Sequence, residues 1–173
     1  HLRVRVFQNG KIHEQHFELG IPQGDLKVVG KTDERGTEIL YYPDGTIFET
    51  TTFNFTTITD RMRHSAYLTK GLRTIAINEE TEERNEYYYE GGIAAYVEHL
   101  NETTKPIHDK IFYCEKQIGT SNVEIAIQYN ESFTENVKAF TNNIPNPEGG
   151  THMVGFRSAL TKVINDYARK NNL

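Results

Sequence analysis

The sequence has a single cysteine, no tryptophan and no long apolar run. Because Cys114 has no second cysteine to pair with, no disulfide can form within the chain, and a reducing compartment is the simplest interpretation. No apolar stretch approaches the roughly 18 residues that indicate a membrane-spanning helix. The charged start leading into an apolar stretch that marks a secretory signal is also missing. These absences exclude a disulfide scaffold and predict neither a membrane span nor a signal peptide.

An excess of positive charge is missing as well. The 19 Lys and Arg residues face 24 Asp and Glu residues, which gives a formal net charge of −5 at pH 7. Nucleic-acid binding by bulk charge is therefore disfavoured, since neutralising phosphates requires clustered Lys and Arg. The 36% hydrophobic and 25% charged residues are typical of a folded globular protein. A chain of 173 residues is long enough for one good-sized domain or two small ones.

Strand and turn patterns dominate the first part of the sequence. Residues 2–7 alternate apolar and polar side chains, and residues 11–18 return after Asn9-Gly10, a dipeptide that favours a tight hairpin turn. Apolar spacings of three and four residues indicate helices elsewhere. The further predicted strands are 25–30, 37–42, 72–78, 85–89, 111–116, 123–129 and 137–142, and the predicted helices are about 57–70, 93–100 and 151–169. The mixture predicts the α+β class, with a boundary near residues 89–92.

Two residue types suggest chemistry that their spacing does not support. Histidines of a zinc-binding helix stand four residues apart, whereas His13 and His16 are three apart on a predicted strand, which points them to opposite faces. We therefore assign no metal site. Cys114 lies in an apolar strand without a nearby histidine or a second cysteine. A small buried thiol is expected there rather than a nucleophile.

Two glycine motifs leave a choice between a ligand contact and ordinary chain geometry. Glu148-Gly149-Gly150-Thr151 precedes the last helix, whose free N–H groups could bind an anion, but Thr151 also fits a plain N-cap, which we favour. The Gly-Lys-Ser/Thr ending of a P-loop is absent. Gly36-Thr37 could admit a planar ligand close to the backbone. Spacing alone favours an ordinary turn before a strand.

Four segments taken together resemble one known family. In chain order they are GKIHEQHFELGIPQGDLKVVGKTDERGTEILYYPDGTIF, YYYEGGIAAYVEHLN, KPIHDKIFY and FTNNIPNPEGGTHMVGFRSAL, of which the last is the most specific. The sequence is similar to the B subunits of bacterial type IIA topoisomerases, with the DNA gyrase branch favoured over topoisomerase IV. The resemblance covers essentially all 173 residues.

The resemblance implies a fold and a set of site residues. Residues 1–89 correspond to the C-terminal sheet half of a GHKL (Bergerat) ATPase domain, and residues 90–173 to most of a transducer domain with a ribosomal S5 domain 2-like fold. In the family, a Gly-Thr pair entering a late strand lies beside the adenine of ATP. That pair corresponds to Gly36 and Thr37, with Ile39 facing the same side. The strand-to-helix joint of the transducer corresponds to Gly149, Gly150 and Thr151, with no catalytic role.

Cofactors and partners follow from the same resemblance. ATP and Mg²⁺ would serve the complete enzyme, but the family's Mg²⁺ ligand and general base correspond to positions before His1, and its γ-phosphate lysine to a position after Leu173. We therefore expect no catalytic residue in this segment and no ATP hydrolysis by it alone. The expected partners are a topoisomerase A subunit, a second B subunit and double-stranded DNA in the cytoplasm, without a membrane. The alternatives left open are a non-catalytic, truncated interaction module and the B subunit of topoisomerase IV.

Overall fold

The computed structural model describes residues 1–173 and divides them by contacts into two compact units, residues 1–54 and residues 55–173. The division precedes the first helix, because that helix and the hairpin after it group with the elements that follow. The predicted domain boundary at residues 89 and 90 therefore lies inside the second unit, and it stays a prediction. None of the three helices is long and apolar enough to cross a membrane.

The first unit is one antiparallel sheet of five strands, which are β1 Leu2–Gln8, β2 Lys11–Glu18, β3 Ile21–Pro22, β4 Lys27–Lys31 and β5 Gly36–Tyr41. Asn9 and Gly10 adopt positive φ angles of 55° and 75°, so the predicted tight turn joins the first two strands. The sheet order is β3-β2-β1-β5, and β4 also pairs with β2. The two-residue strand β3 hydrogen-bonds to the end of β2.

The second unit begins with a helix, a hairpin and a second helix. This region holds all of the buried residues of the chain, which are Thr59, Ala66, Tyr67, Ala76, Gly92 and Tyr96. The two helices and both strands of the hairpin are confirmed. The second helix has the predicted bounds, and the bounds of the other three elements differ by a few residues from those predicted. They are α1 Phe55–Leu68, β6 Arg73–Asn78, β7 Glu83–Tyr88 and α2 Ile93–Leu100.

The remainder of the second unit contains two hairpins and the last helix. The predicted strand 137–142 is mostly wrong, because Asn142 and Asn143 adopt φ angles of 50° and 64° and turn the chain after a two-residue strand. The last helix runs two residues beyond its predicted end and buries no residue. The elements are β8 Phe112–Ile118, β9 Ser121–Ile127, β10 Phe140–Thr141, β11 Ile144–Pro145 and α3 Thr151–Asn171.

Candidate functional site

The three residues that the resemblance places beside a nucleotide lie at the start of β5. Strand alternation puts Thr37 and Ile39 on the same side and Glu38 on the other. Across the ladder, Thr37 lies opposite Val6 and Ile39 opposite Val4, both of which are half-buried. Thr37 is exposed, and Ile39 is 65% exposed. The face therefore offers one hydroxyl beside an accessible apolar surface.

Gly36 is the first residue of β5 and leaves free space beside the strand. A Cβ atom added there would meet no heavy atom within 4 Å, so the backbone of Gly36 is accessible from that side. β5 is also the last strand in the order β3-β2-β1-β5 of the first unit. A flat ligand can therefore approach the strand at Gly36 and contact Thr37 and Ile39 without displacing a side chain of this unit.

A polar cleft adjoins Gly36 at the hairpin turn. The amide N–H of Thr32 donates to the carbonyl of Gly10 at 3.2 Å, which brings the segment before β5 against the turn. Sequence reasoning did not join these two segments, since they are more than twenty residues apart. The cleft is lined by Gln8, Asn9, Gly10, Thr32, Asp33, Glu34 and Arg35.

The opposite face of the same sheet carries an ion-pair network. Arg5 Nε donates to Glu14 at 2.7 Å, and Arg3 pairs with Glu38 at 3.0 Å. His16 Nε2 lies 2.8 Å from the other carboxylate oxygen of Glu14. These hydrogen bonds, from His16 first and then Arg5, lower the pKa of Glu14 to about 2. The network fixes the orientation of Glu38 away from the Thr37 face.

The motif before the last helix differs from its predicted capping. Gly150, not Thr151, occupies the N-cap position, and no side chain caps the helix. The carbonyl of Gly150 accepts the N–H groups of Met153 at 3.0 Å and Val154 at 3.1 Å, so Thr151 is already the first helical residue. Its hydroxyl is one position too late to serve as an N-cap. Gly149, with φ of 77°, makes the turn that leads into the helix.

The two histidines near the first hairpin turn lie in β2, and the single cysteine lies in β8. His16 is engaged by Glu14, and His13 is half-buried on the other side of β2. Cys114 pairs across the ladder with Ile125. Its side chain is only half-buried, which is less than predicted. No group of three or more His, Cys, Asp or Glu side chains is arranged to hold a metal ion.

An aromatic cluster spans the predicted domain boundary. Tyr67 of α1 stacks on Tyr89 with ring centres 3.6 Å apart and lies 5.1 Å from Tyr96 of α2. Tyr96 also meets Phe140 of β10 at 6.2 Å, and His99 stacks on Tyr67 at 5.6 Å. Sequence reasoning missed this cluster, although three consecutive tyrosines at 87–89 were its signal. The cluster joins elements on both sides of residue 89.

The known proteins that this chain resembles include DNA gyrase B proteins. The model of the DNA gyrase B family matches residues 92–173. The chain is 51% identical over 99% of its length to the DNA gyrase B protein of Halalkalibacterium halodurans, of which it covers 27%, and 50% identical over 99% to that of Bacillus cereus, of which it covers 43%. Over nearly its whole length, the chain is similar to DNA gyrase B proteins. The predicted resemblance is therefore confirmed.

A solved structure extends the family likeness to the fold. The crystal structure of the 43K ATPase domain of Thermus thermophilus gyrase B in complex with an aminocoumarin matches 99% of this chain with a TM-score of 0.86 and 30% identity. The chain covers 48% of that structure. The predicted α+β class, with a GHKL ATPase sheet, is thus confirmed. The chain spans between about a quarter and a half of the gyrase B proteins that it matches.

Proposed function

We propose that this chain is part of the ATPase and transducer region of an ATP-dependent type IIA DNA topoisomerase of the gyrase B kind. The complete protein would couple ATP binding and hydrolysis to DNA strand passage and supercoiling. The observation that carries the proposal is 51% identity over 99% of the chain to a DNA gyrase B protein. Identity at that level, spread over both compact units, supports a shared function as well as a shared fold.

The β5 edge is the part of this chain that would contact ATP. Gly36 would let the adenine approach the backbone, Thr37 would supply a hydroxyl as hydrogen-bond partner, and Ile39 would form apolar pocket wall. The exposure of Thr37 and Ile39 on one face, with open space at Gly36, fits a flat ligand lying against the strand. The polar cleft at the hairpin turn would border this contact.

Mg²⁺ and the hydrolytic step are assigned to other parts of the complete protein. Mg²⁺ is bound through carboxylate and phosphate oxygens in such enzymes, and no cluster of acidic or histidine side chains in this chain fits that need. Phosphoryl transfer depends on positioning and electrostatic stabilisation of the phosphates. We therefore propose that residues 1–173 hold the nucleotide base but do not hydrolyse ATP by themselves.

Residues 90–173 would act as the transducer, and the rest of the assembly would supply the DNA-cutting part. The proposed partners are a topoisomerase A subunit, a second B subunit that dimerises when ATP binds, and double-stranded DNA. The joint at Gly149, Gly150 and Thr151 would connect the small β10–β11 hairpin to α3. A turn at Gly149 followed directly by a long helix supports a fixed lever geometry at this joint.

The proposal is tested by Thr37→Val in the complete B subunit, assayed with its A subunit on relaxed plasmid. Loss of the hydroxyl should raise KM for ATP about 3- to 10-fold, the cost of one hydrogen bond, with kcat little changed. Thr37→Ser keeps the hydroxyl and serves as the matched control. Wild-type protein without ATP-dependent supercoiling would overturn the proposed function. Equal KM values for Thr37→Val and Thr37→Ser would remove Thr37 from the nucleotide site.

A further inference from the structure

Lys70 stands just after the end of α1 and contacts elements that follow the predicted domain boundary. Its ammonium group hydrogen-bonds to the hydroxyl of Tyr113 in β8 and lies 4.4 Å from the centre of that ring. The neighbouring residue, Thr69, accepts a hydrogen bond from Asn143 at 2.8 Å. The end of α1 is thus tied to the β8–β9 hairpin and to the β10–β11 turn by contacts between residues 43 to 74 positions apart.

The β8–β9 hairpin is built to receive a cation at this point. Glu115 and Glu124 are direct cross-strand partners, an arrangement that is destabilising for two like charges. Lys70 Nζ lies 3.5 Å from Glu115 and 3.8 Å from Glu124, so one cation offsets both carboxylates. The Tyr113 hydroxyl lies 2.9 Å from Glu115 and completes the site. Without Lys70, the repulsion between Glu115 and Glu124 would lose the cation that offsets it.

The start of α2 is shaped around the Lys70 side chain. A Cβ atom at Gly92 would lie 2.8 Å from Cγ and 3.0 Å from Cε of Lys70, so the methylene stem runs directly over this glycine. Gly92 has a φ of 57°, which side-chain-bearing residues rarely adopt. The apolar stem of Lys70 therefore packs on Gly92 at the start of α2, and its charged head binds the β8–β9 hairpin.

We propose that Lys70 is a positioning residue, which locks the β8–β9 hairpin and the start of α2 to the end of α1 and thereby sets how efficiently ATP turnover drives strand passage. The inference rests on the proposed function. Lys70 is not one of the residues proposed to contact ATP. Its role is to hold two predicted domains in one relative position. Its loss should uncouple the two activities rather than abolish either one.

The test uses the complete B subunit with its A subunit and three variants. Lys70→Met keeps the apolar stem over Gly92 and removes the cation, and Lys70→Arg keeps a cation for the carboxylates. Lys105→Met is the matched control, since Lys105 pairs with Glu131 at 2.7 Å and both residues follow the predicted boundary. The readouts are supercoils introduced per ATP hydrolysed, kcat and KM for ATP, and hydrogen exchange of residues 112–127.

Lys70→Met should lower the supercoils per ATP about 3- to 10-fold, the range typical of residues that couple two sites, without changing KM. Exchange of the hairpin amides should become faster in this variant, and Lys70→Arg should restore both properties. Unchanged hairpin exchange in Lys70→Met would overturn the lock whether or not supercoiling is observed, as would an equal loss in Lys105→Met. A wild-type protein without ATP-dependent supercoiling would instead overturn the proposed function.

Discussion

The sheet of residues 1–54 and the helix-hairpin-helix of residues 55–100 are stabilised in different ways. Every residue of the first region is at least partly exposed, whereas all buried residues of the chain lie in the second region. The sheet is held by its strand ladders and by ion pairs such as that between Arg5 and Glu14. The second region is held by aromatic rings that pack on α1.

This difference separates an open sheet from a structural anchor. A sheet with apolar side chains on an open face is one layer of a two-layer structure, and such a face is suited to receive either a covering layer or a ligand. Ile39 belongs to that face, as do Val4 and Val6 across the ladder, which are only half-buried. The aromatic region differs, because Ala66 and Tyr67 of α1 are buried there. The aromatic region is therefore the structural anchor, and the open sheet fits the nucleotide contact proposed above.

The largest expected effect breaks the anchor. Tyr67→Ala should lower the free energy of unfolding of the 173-residue chain by about 3–5 kcal/mol, as truncation of a large buried aromatic residue does. Tyr67 is 4% exposed, and the substitution removes its contacts with Tyr89, Tyr96 and His99. Urea unfolding followed by far-ultraviolet circular dichroism measures the change.

The matched control is the same substitution in the sheet. Tyr41 is 42% exposed and meets Phe48 and Phe53 only at ring distances of 6.4 and 6.5 Å. Tyr41→Ala should therefore cost about 1 kcal/mol, the usual size for a partly exposed position. Equal destabilisation by the two substitutions would refute the division into a structural anchor and an open sheet.

Local chain signals predicted much of the fold. Asn9-Gly10 predicted the first hairpin because two neighbouring positive φ angles suit those residue types. The same physics was overlooked at Asn142-Asn143, where the expected strand ends in a second tight turn. The helices α1 and α2 followed from apolar spacing and flanking glycines. Elements defined by near neighbours were thus predictable, with errors at their ends.

Contacts between distant segments were not predictable from the sequence. Lys70 and Glu124 are more than fifty residues apart, and nothing in the sequence indicates that they meet. At the candidate site, Gly36-Thr37 fitted an ordinary turn before a strand. The same local sequence serves a turn and a ligand-binding strand, because the two differ only in what packs against the strand. The family resemblance decided that choice toward a nucleotide contact, which stays a proposal.

A smaller effect sharpens the comparison at two glycines with positive φ. A Cβ atom added at Gly10 in the sheet would meet no heavy atom within 4 Å, whereas one added at Gly92 would press on Lys70. Alanine at Gly10 adds about 1–2 kcal/mol of left-handed backbone strain. Gly92 combines φ of 57° with ψ of −134°, a conformation that glycine adopts and side-chain-bearing residues avoid, so alanine is strained there as well. At Gly92 the crowding should add about 1 kcal/mol or more, as overpacking does. Urea midpoints of the two variants decide this, and a Gly10→Ala loss that matches or exceeds the Gly92→Ala loss would contradict the close packing at α2.

The smallest expected effect separates the two regions by acid sensitivity. Burial lowers the pKa of His64, which lies against Tyr96 in the anchor, with Arg63, Arg61 and His99 opposing protonation and Asp60 favouring it. Because the folded pKa is below the usual 6.5, the unfolded chain binds the proton first as pH falls. The contribution of neutral His64 is therefore complete above pH 6.5 and is lost as pH falls through the folded pKa.

The sheet should respond only at lower pH. With a pKa of about 2 against an ordinary value of 4.5, Glu14 contributes stability that is complete above pH 4.5 and lost toward pH 2. Hydrogen exchange measured between about pH 7 and pH 4.5 should show the anchor amides of α1 losing protection before those of β1 and β2. His64→Phe should remove the early step and Glu14→Gln should not, because the pKa shift of His64 acts in this range and that of Glu14 acts below pH 4.5. Loss of protection in β1 and β2 before α1 would invert the order that the two pKa shifts require.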